Sequence, residues 1–164
     1  MTEIMGIDLG TKTGIAWNYG HFPGVITKAL ATPTEITRWG QMRKDRTGDP
    51  RVIRLYEFFS GLPRYPRIVV FEDVQFQSFT KQTQLWSSLR TALWLAFYGK
   101  CLIECVPVTT LKKFATGSGA ANKIAMRKAL FSQFPETRPD LDDNSVDALW
   151  ILKWAEKNLG RMKF

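Results

Sequence analysis

Histidine is almost missing from this chain: His21 is the only one in 164 residues. A Cys/His zinc site and a catalytic histidine dyad are therefore close to excluded. Cysteine is scarce as well. Cys101 and Cys105 share the apolar run CLIECVPV, which reads as a strand. Four residues of strand span about 13 Å, well beyond the ~7 Å reach of a disulfide. With no disulfide framework, a reducing compartment is expected. No apolar run approaches the roughly 18 residues of a membrane span, so no membrane partner is expected. The start, MTEIMGIDLG, carries acids at Glu3 and Asp8 where a secretory leader would be basic and then apolar. These absences predict a cytoplasmic protein.

Acidic residues are the minority. Lys and Arg number 23 against 15 Asp and Glu, a net charge of +8. Such a surplus on a small domain suits a polyanionic partner. The 13% aromatic content, with 6 Trp, favours nucleic acid over a membrane surface, because bases stack on rings. No internal repeat or low-complexity linker divides the chain, so residues 1–164 read as one domain.

Hydrophobic patterning sets the architecture. Strands are predicted over 4–9, 14–19 and 25–31, joined by short turns. The polar, basic stretch 32–48 reads as a loop. Asp49-Pro50 then opens a helix, with Val52, Leu55, Tyr56 and Phe59 at helical spacing and Gly61 as the stop. Residues 67–74 form a near-continuous apolar run, as in a strand buried on both faces. Leu85, Leu89, Ala92, Leu93, Ala96 and Phe97 mark a second helix, closed by Gly99. A fifth strand over 101–106 and helices near 122–134 and 144–159 complete the order. An antiparallel meander followed by crossovers predicts an α/β fold. Its mixed five-stranded sheet has strands 1, 4 and 5 parallel and helices on both faces.

Acids stand at three telling places. Asp8 ends the first strand, Glu72 ends the fourth, and LDDNSVDALW opens the last helix. An acid at the end of a buried strand is costly unless it binds something. In the helix, Asp143 and Asn144 lie four and three residues before Asp147, which puts their oxygens on one face. Oxygen ligands without His or Cys suit Mg²⁺ or Mn²⁺, and two such ions can clamp a phosphodiester in hydrolysis. Taken singly, each acid also fits a turn, a solvated strand end or a helix cap. Arg43, Lys44 and Arg46, with Trp39 nearby, suit an arm that touches DNA phosphates; a solvated loop fits them equally. Gly117 and Gly119 in GSG suit a phosphate-binding nest, with Lys112, Lys113 and Lys123 around it.

Four segments carry a family resemblance. GIDLGTKTGIAW, VVFEDVQF, LKKFATGSGAANK and DDNSVDALW resemble, in order and spacing, motifs of the RuvC Holliday-junction resolvases. These are nucleases of the RNase H-like, retroviral-integrase superfamily. The resemblance implies an RNase H-like fold and a homodimer. It implies a metal-dependent endonuclease that nicks opposing strands of four-way branched DNA, leaving 5′-phosphate and 3′-hydroxyl ends. Asp8, Glu72 and Asp147 match its metal ligands, and Lys112 and Lys123 its basic residues at the scissile phosphate. Phe76 resembles its aromatic wedge, one residue later than in the family. Where the family has Asp or His three residues before the last Asp, this chain has Asn144. Asp143 is expected to replace it as fourth ligand, with Asn144 the alternative. The expected setting becomes a bacterial or phage-infected cell. Two other readings stay open: a related nuclease acting on flaps, hybrids or RNA, and a fragment of an actin-like ATPase, whose first phosphate loop GIDLGT also resembles.

Overall fold

A computed structural model describes residues 2–20, 23–42, 49–74 and 81–161. The elements run β1 (Ile4–Asp8), β2 (Lys12–Trp17), β3 (Gly24–Ala29), α1 (Pro33–Met42), α2 (Pro50–Ser60), β4 (Ile68–Asp73), α3 (Lys81–Phe97), β5 (Leu102–Pro107), α4 (Val108–Thr116), α5 (Lys123–Gln133) and α6 (Asp143–Leu159). The sheet order is β3-β2-β1-β4-β5. Pairing is antiparallel through β1, β2 and β3 and parallel through β1, β4 and β5, as the patterning predicts.

Strand alternation divides the core in two. Ile4, Ile68 and Val70 turn toward α4, α5 and α6. Met5, Ile7, Val69 and Phe71 turn toward α2 and α3. Asp8 and Glu72 fall in the first set by parity, so both look toward α6. That helix is locked from its far side by Trp150, fully buried, whose indole N–H donates to the Met126 carbonyl at 3.0 Å. Phe114 and Phe134 meet the same ring edge-on.

Two helices depart from the expected order. Residues 33–42 form α1, where the sequence reads as loop. Ile36, Trp39 and Met42 recur three residues apart within this polar, basic stretch, and Thr32 and Glu35 form a reciprocal capping box: the Thr32 N–H donates to Glu35 at 2.8 Å, and the Glu35 N–H to Thr32 Oγ1 at 3.2 Å. Arg54 of α2 grips the same carboxylate and the Leu30 carbonyl. The second, α4, follows β5 without a linker. Pro107 supplies its extended N-cap, and Leu111 and Ala115 are its buried pair.

Candidate active site

The register of β1 and β4 starts the site. Ile7 faces Phe71, which sets Asp8 and Glu72 side by side at the carboxyl ends of parallel neighbours. In such sheets, sites form at that edge. The third acid arrives from α6, which lies against β1 and β2 because two strand glycines permit it. A Cβ on Gly6 would come within 2.7 Å of the Leu152 nitrogen and 2.8 Å of the Ala148 carbonyl oxygen. A Cβ on Gly14, the residue paired with Asp8, would overlap the Asn144 carbonyl. These glycines were not singled out as site residues by sequence. A glycine inside a strand is nevertheless a sign of close backbone approach.

The three carboxylates are half-buried, and none accepts a hydrogen bond among the described residues. Burial, then the charges of Asp147 and Glu72, push Asp8 well above the usual carboxylate range. Burial and Asp147 lift Glu72 to about 7, against the opposing pull of Lys112. Burial also lifts Asp147 to about 6; Asp143 adds to this, while Lys123 and Lys112 oppose it. The acids thus form one mutually repelling cluster with Lys112 and Lys123 at its rim.

The other expected residues sort by position. Asp142, not Asp143, is the N-cap of α6; it accepts from the Ser145 N–H at 2.9 Å and from Thr27 Oγ1 at 2.6 Å. Burial pushes its carboxyl up, but these bonds and one from Asn144 outweigh it and hold it below the ordinary range. Asp143 is half exposed and pairs with Lys123 at 3.7 Å and Arg127 at 3.6 Å. Gly117 is the left-handed C-cap of α4, its N–H on the Lys113 carbonyl, and Gly119 packs closely on Thr109 in the same turn. Lys113 is exposed and faces no carboxylate among the described residues. Phe76, Arg43, Lys44, Arg46 and His21 lie outside the described residues.

The donor set suits a hard divalent cation: oxygen only, partly desolvated, and short of compensating charge. Among the described residues no three acidic, Cys or His side chains close into a ligand cage. That openness is compatible with Mg²⁺, which commonly takes one or two carboxylates and completes its shell with phosphate and water.

A stability test follows from the electrostatics. Between about pH 5 and 7 the folded chain keeps protons on Glu72 and Asp147 that the unfolded chain has released. Metal-free stability should therefore fall as pH rises through that window, by on the order of 2–3 kcal/mol. Thermal melts in chelator should show a midpoint lower at pH 7.5 than at pH 5 by roughly 5–10 °C. A flat profile would mean that the fold does not hold Glu72 and Asp147 above the ordinary carboxylate range.

No helix among the described residues is long and apolar enough to cross a membrane, and both cysteines are free. No known protein-family profile matches the chain, and no curated protein is similar to it in sequence. Solved structures do match. A structure of RuvC from Thermus thermophilus aligns over 92% of this chain and 90% of its own, with a TM-score of 0.62 at 16% identity. The same protein in complex with a Holliday junction substrate gives a TM-score of 0.65 at 18% identity, with the same coverage. The yeast mitochondrial Holliday junction resolvase aligns over 92% of this chain and 75% of its own, with a TM-score of 0.50 at 13% identity. The chain has the fold of these RuvC structures, at low sequence identity to them.

Proposed function

We propose that this chain is a metal-dependent endonuclease that resolves four-way DNA junctions by paired hydrolytic nicks. The carrying observation is the convergence of Asp8, Glu72 and Asp147, unsatisfied and mutually repelling, at the carboxyl edge of a RuvC-type sheet. Asp8, Glu72 and Asp147, with Asp143 as the fourth ligand, would hold two Mg²⁺ or Mn²⁺ ions. Bound there, the ions would supply Lewis acidity and offset charge on the attacking and leaving oxygens. The chain's own part is placement. The strand ends and α6 fix the carboxylates before substrate arrives. Lys112 and Lys123 supply positive charge beside them for the phosphate to be cut. Hydrolysis leaves 5′-phosphate and 3′-hydroxyl ends. The setting is the cytoplasm of a bacterial or phage-infected cell.

The test is incubation of end-labelled four-way junction, flap and RNA–DNA hybrid with Mg²⁺ and with chelator, followed by product mapping. Symmetric nicks in the junction alone, abolished by chelator, are the expected result. Flap or hybrid cutting in preference to the junction would transfer the site to another substrate, and full cutting in chelator would remove the metal.

Asp143 and Asn144 compete for the fourth position. Two dications need anionic oxygen, and the neutral amide of Asn144 supplies none. Asp143→Asn should therefore lower cleavage as severely as Asp147→Asn, while Asn144→Ala stays within a few-fold of the parent. The reverse order in single-turnover assays would make Asn144 the ligand.

Paired nicks need two sites, and the described residues hold one such acid cluster. A second copy is expected on α2 and α3, where Ile53, Tyr56 and Leu95 are exposed around a shallow apolar groove. Basic surfaces of two +8 chains repel, which leaves an uncharged face as the place to associate. Light scattering should give a dimer for the parent and a monomer for Leu95→Glu. A dimer in both would move the interface elsewhere.

A further inference from the structure

The end of the sheet opposite the acids carries a second concentration of positive charge that the proposed chemistry does not use. Arg67 precedes β4, and its N–H and that of Ile68 both donate to the Glu3 carbonyl before β1. The Leu102 N–H, at the start of β5, donates back to the Arg67 carbonyl. These bonds bring three chain segments together. Lys100 reaches Tyr65, donating to its hydroxyl at 2.9 Å and lying 4.4 Å from its ring centre. Arg64, beside it, pairs with Glu3. Arg161 joins from the end of α6, where Thr2 bonds the Gly160 carbonyl. Arg64, Arg67, Lys100 and Arg161 are all exposed. Arg67, Lys100 and Arg161 form no ion pair among the described residues. Glu3 and Glu156 are the acids nearby, and both are engaged, Glu3 with Arg64 and Glu156 with Lys153 and Asn18.

Arg64, Lys100 and Arg161 follow the carboxyl ends of α2, α3 and α6, where a cation is favoured by the helix dipole. That accounts for each alone. It does not account for Arg67 at a strand start, nor for Tyr98, 76% exposed on the turn beside Lys100. Distance separates this surface from the active site. Glu3 to Asp8 is five strand steps, about 17 Å, or roughly two Debye lengths at physiological salt. Charges here do nothing through space for a phosphate at Glu72. They act only on phosphates that touch them.

We propose that this amino-end pole is a second DNA-binding surface, contacting the backbone of a duplex arm or a second duplex that the active-site edge does not hold. The proposal rests on the reading that the substrate is branched DNA. Its test is the double variant Arg67→Glu/Lys100→Glu, which leaves the Arg64–Glu3 pair and every active-site residue in place. Binding of a fluorescent four-way junction and of a plain duplex is measured in chelator across a salt series. Single-turnover cutting is then measured in Mg²⁺ at saturating protein. Two lost phosphate contacts should weaken binding on the order of tenfold and flatten the log–log salt dependence by about 2. The saturated cutting rate should not change. The neutral variant Arg67→Gln/Lys100→Gln should show the same direction with a smaller loss, which guards against misfolding of the charge reversal. Unchanged affinity and salt slope in both variants would overturn the proposal and leave the pole to an acidic protein partner or to helix-end compensation. If the parent fails to cut junctions at all, the function reading falls, while the chelator binding series still decides the pole.

Discussion

Glu72→Gln is expected to abolish junction cutting while leaving junction affinity intact. Glu72 lies beside Asp8 at the strand ends and within the field of Asp147. The amide keeps the shape and removes one anionic oxygen. Charge stabilisation of the kind the proposed ions supply amounts to several kcal/mol, so its disruption should lower the rate about a thousandfold or more. Affinity should hold, because it comes from basic residues and not from the acids. The same variant has an opposite effect on the fold. Removing one of three repelling carboxylates should raise the melting midpoint of the metal-free protein at neutral pH. Near-normal cutting by Glu72→Gln would reduce Glu72 to a solvated strand end. Loss of cutting together with a lowered midpoint would indicate a folding defect instead.

Gly14→Ala is expected to damage both stability and catalysis, although Gly14 has no functional group. The added methyl would overlap the Asn144 carbonyl and stand 3.1 Å from the Ala148 Cβ. Its nearest obstacle is helix backbone, so no side-chain rotation relieves it. Either α6 lifts from the sheet or β2 shifts. Overpacking of this kind costs about 2–4 kcal/mol, or roughly 5–15 °C in melting midpoint for a domain this size. Asp147 moves with its helix, and a displacement of about 1 Å at a reacting group can cost a hundredfold in rate. The expected result is a folded, less stable protein that binds junctions and cuts them poorly. An unchanged midpoint and rate would show that α6 has slack over Gly14.

The sheet was legible because its strands are apolar runs with abrupt ends, and the acids were legible because they are those ends. Asp8 closes IMGID and Glu72 follows IVVF. The two unforeseen helices are hard to read for different reasons. None of the described side chains of α1 is buried; its sign was the pattern Thr32-Pro33-Thr34-Glu35, a capping box with proline in the first turn. α4 is nine residues long and continues directly from a strand, so its two buried positions are too few to show a period. The choice between Asp142 and Asp143 as helix cap is also local geometry. Both residue types cap well, and the bonds from the Ser145 N–H and from Thr27 on β3 select Asp142. The contact between α6 and the sheet depends on residues some 130 positions apart, and a single sequence holds no direct record of such pairs.

That same contact has a consequence in time. Asp8 precedes Asp147 by 139 residues, so the ribosome adds the two halves of the acid cluster on the order of 10 s apart. Until α6 emerges and docks on β1 and β2, the growing chain has two of its three carboxylates and an uncovered apolar sheet face. It bears basic surface beside an incomplete acid cluster. The order of synthesis thus keeps the proposed site incomplete until α6 closes over Gly6 and Gly14.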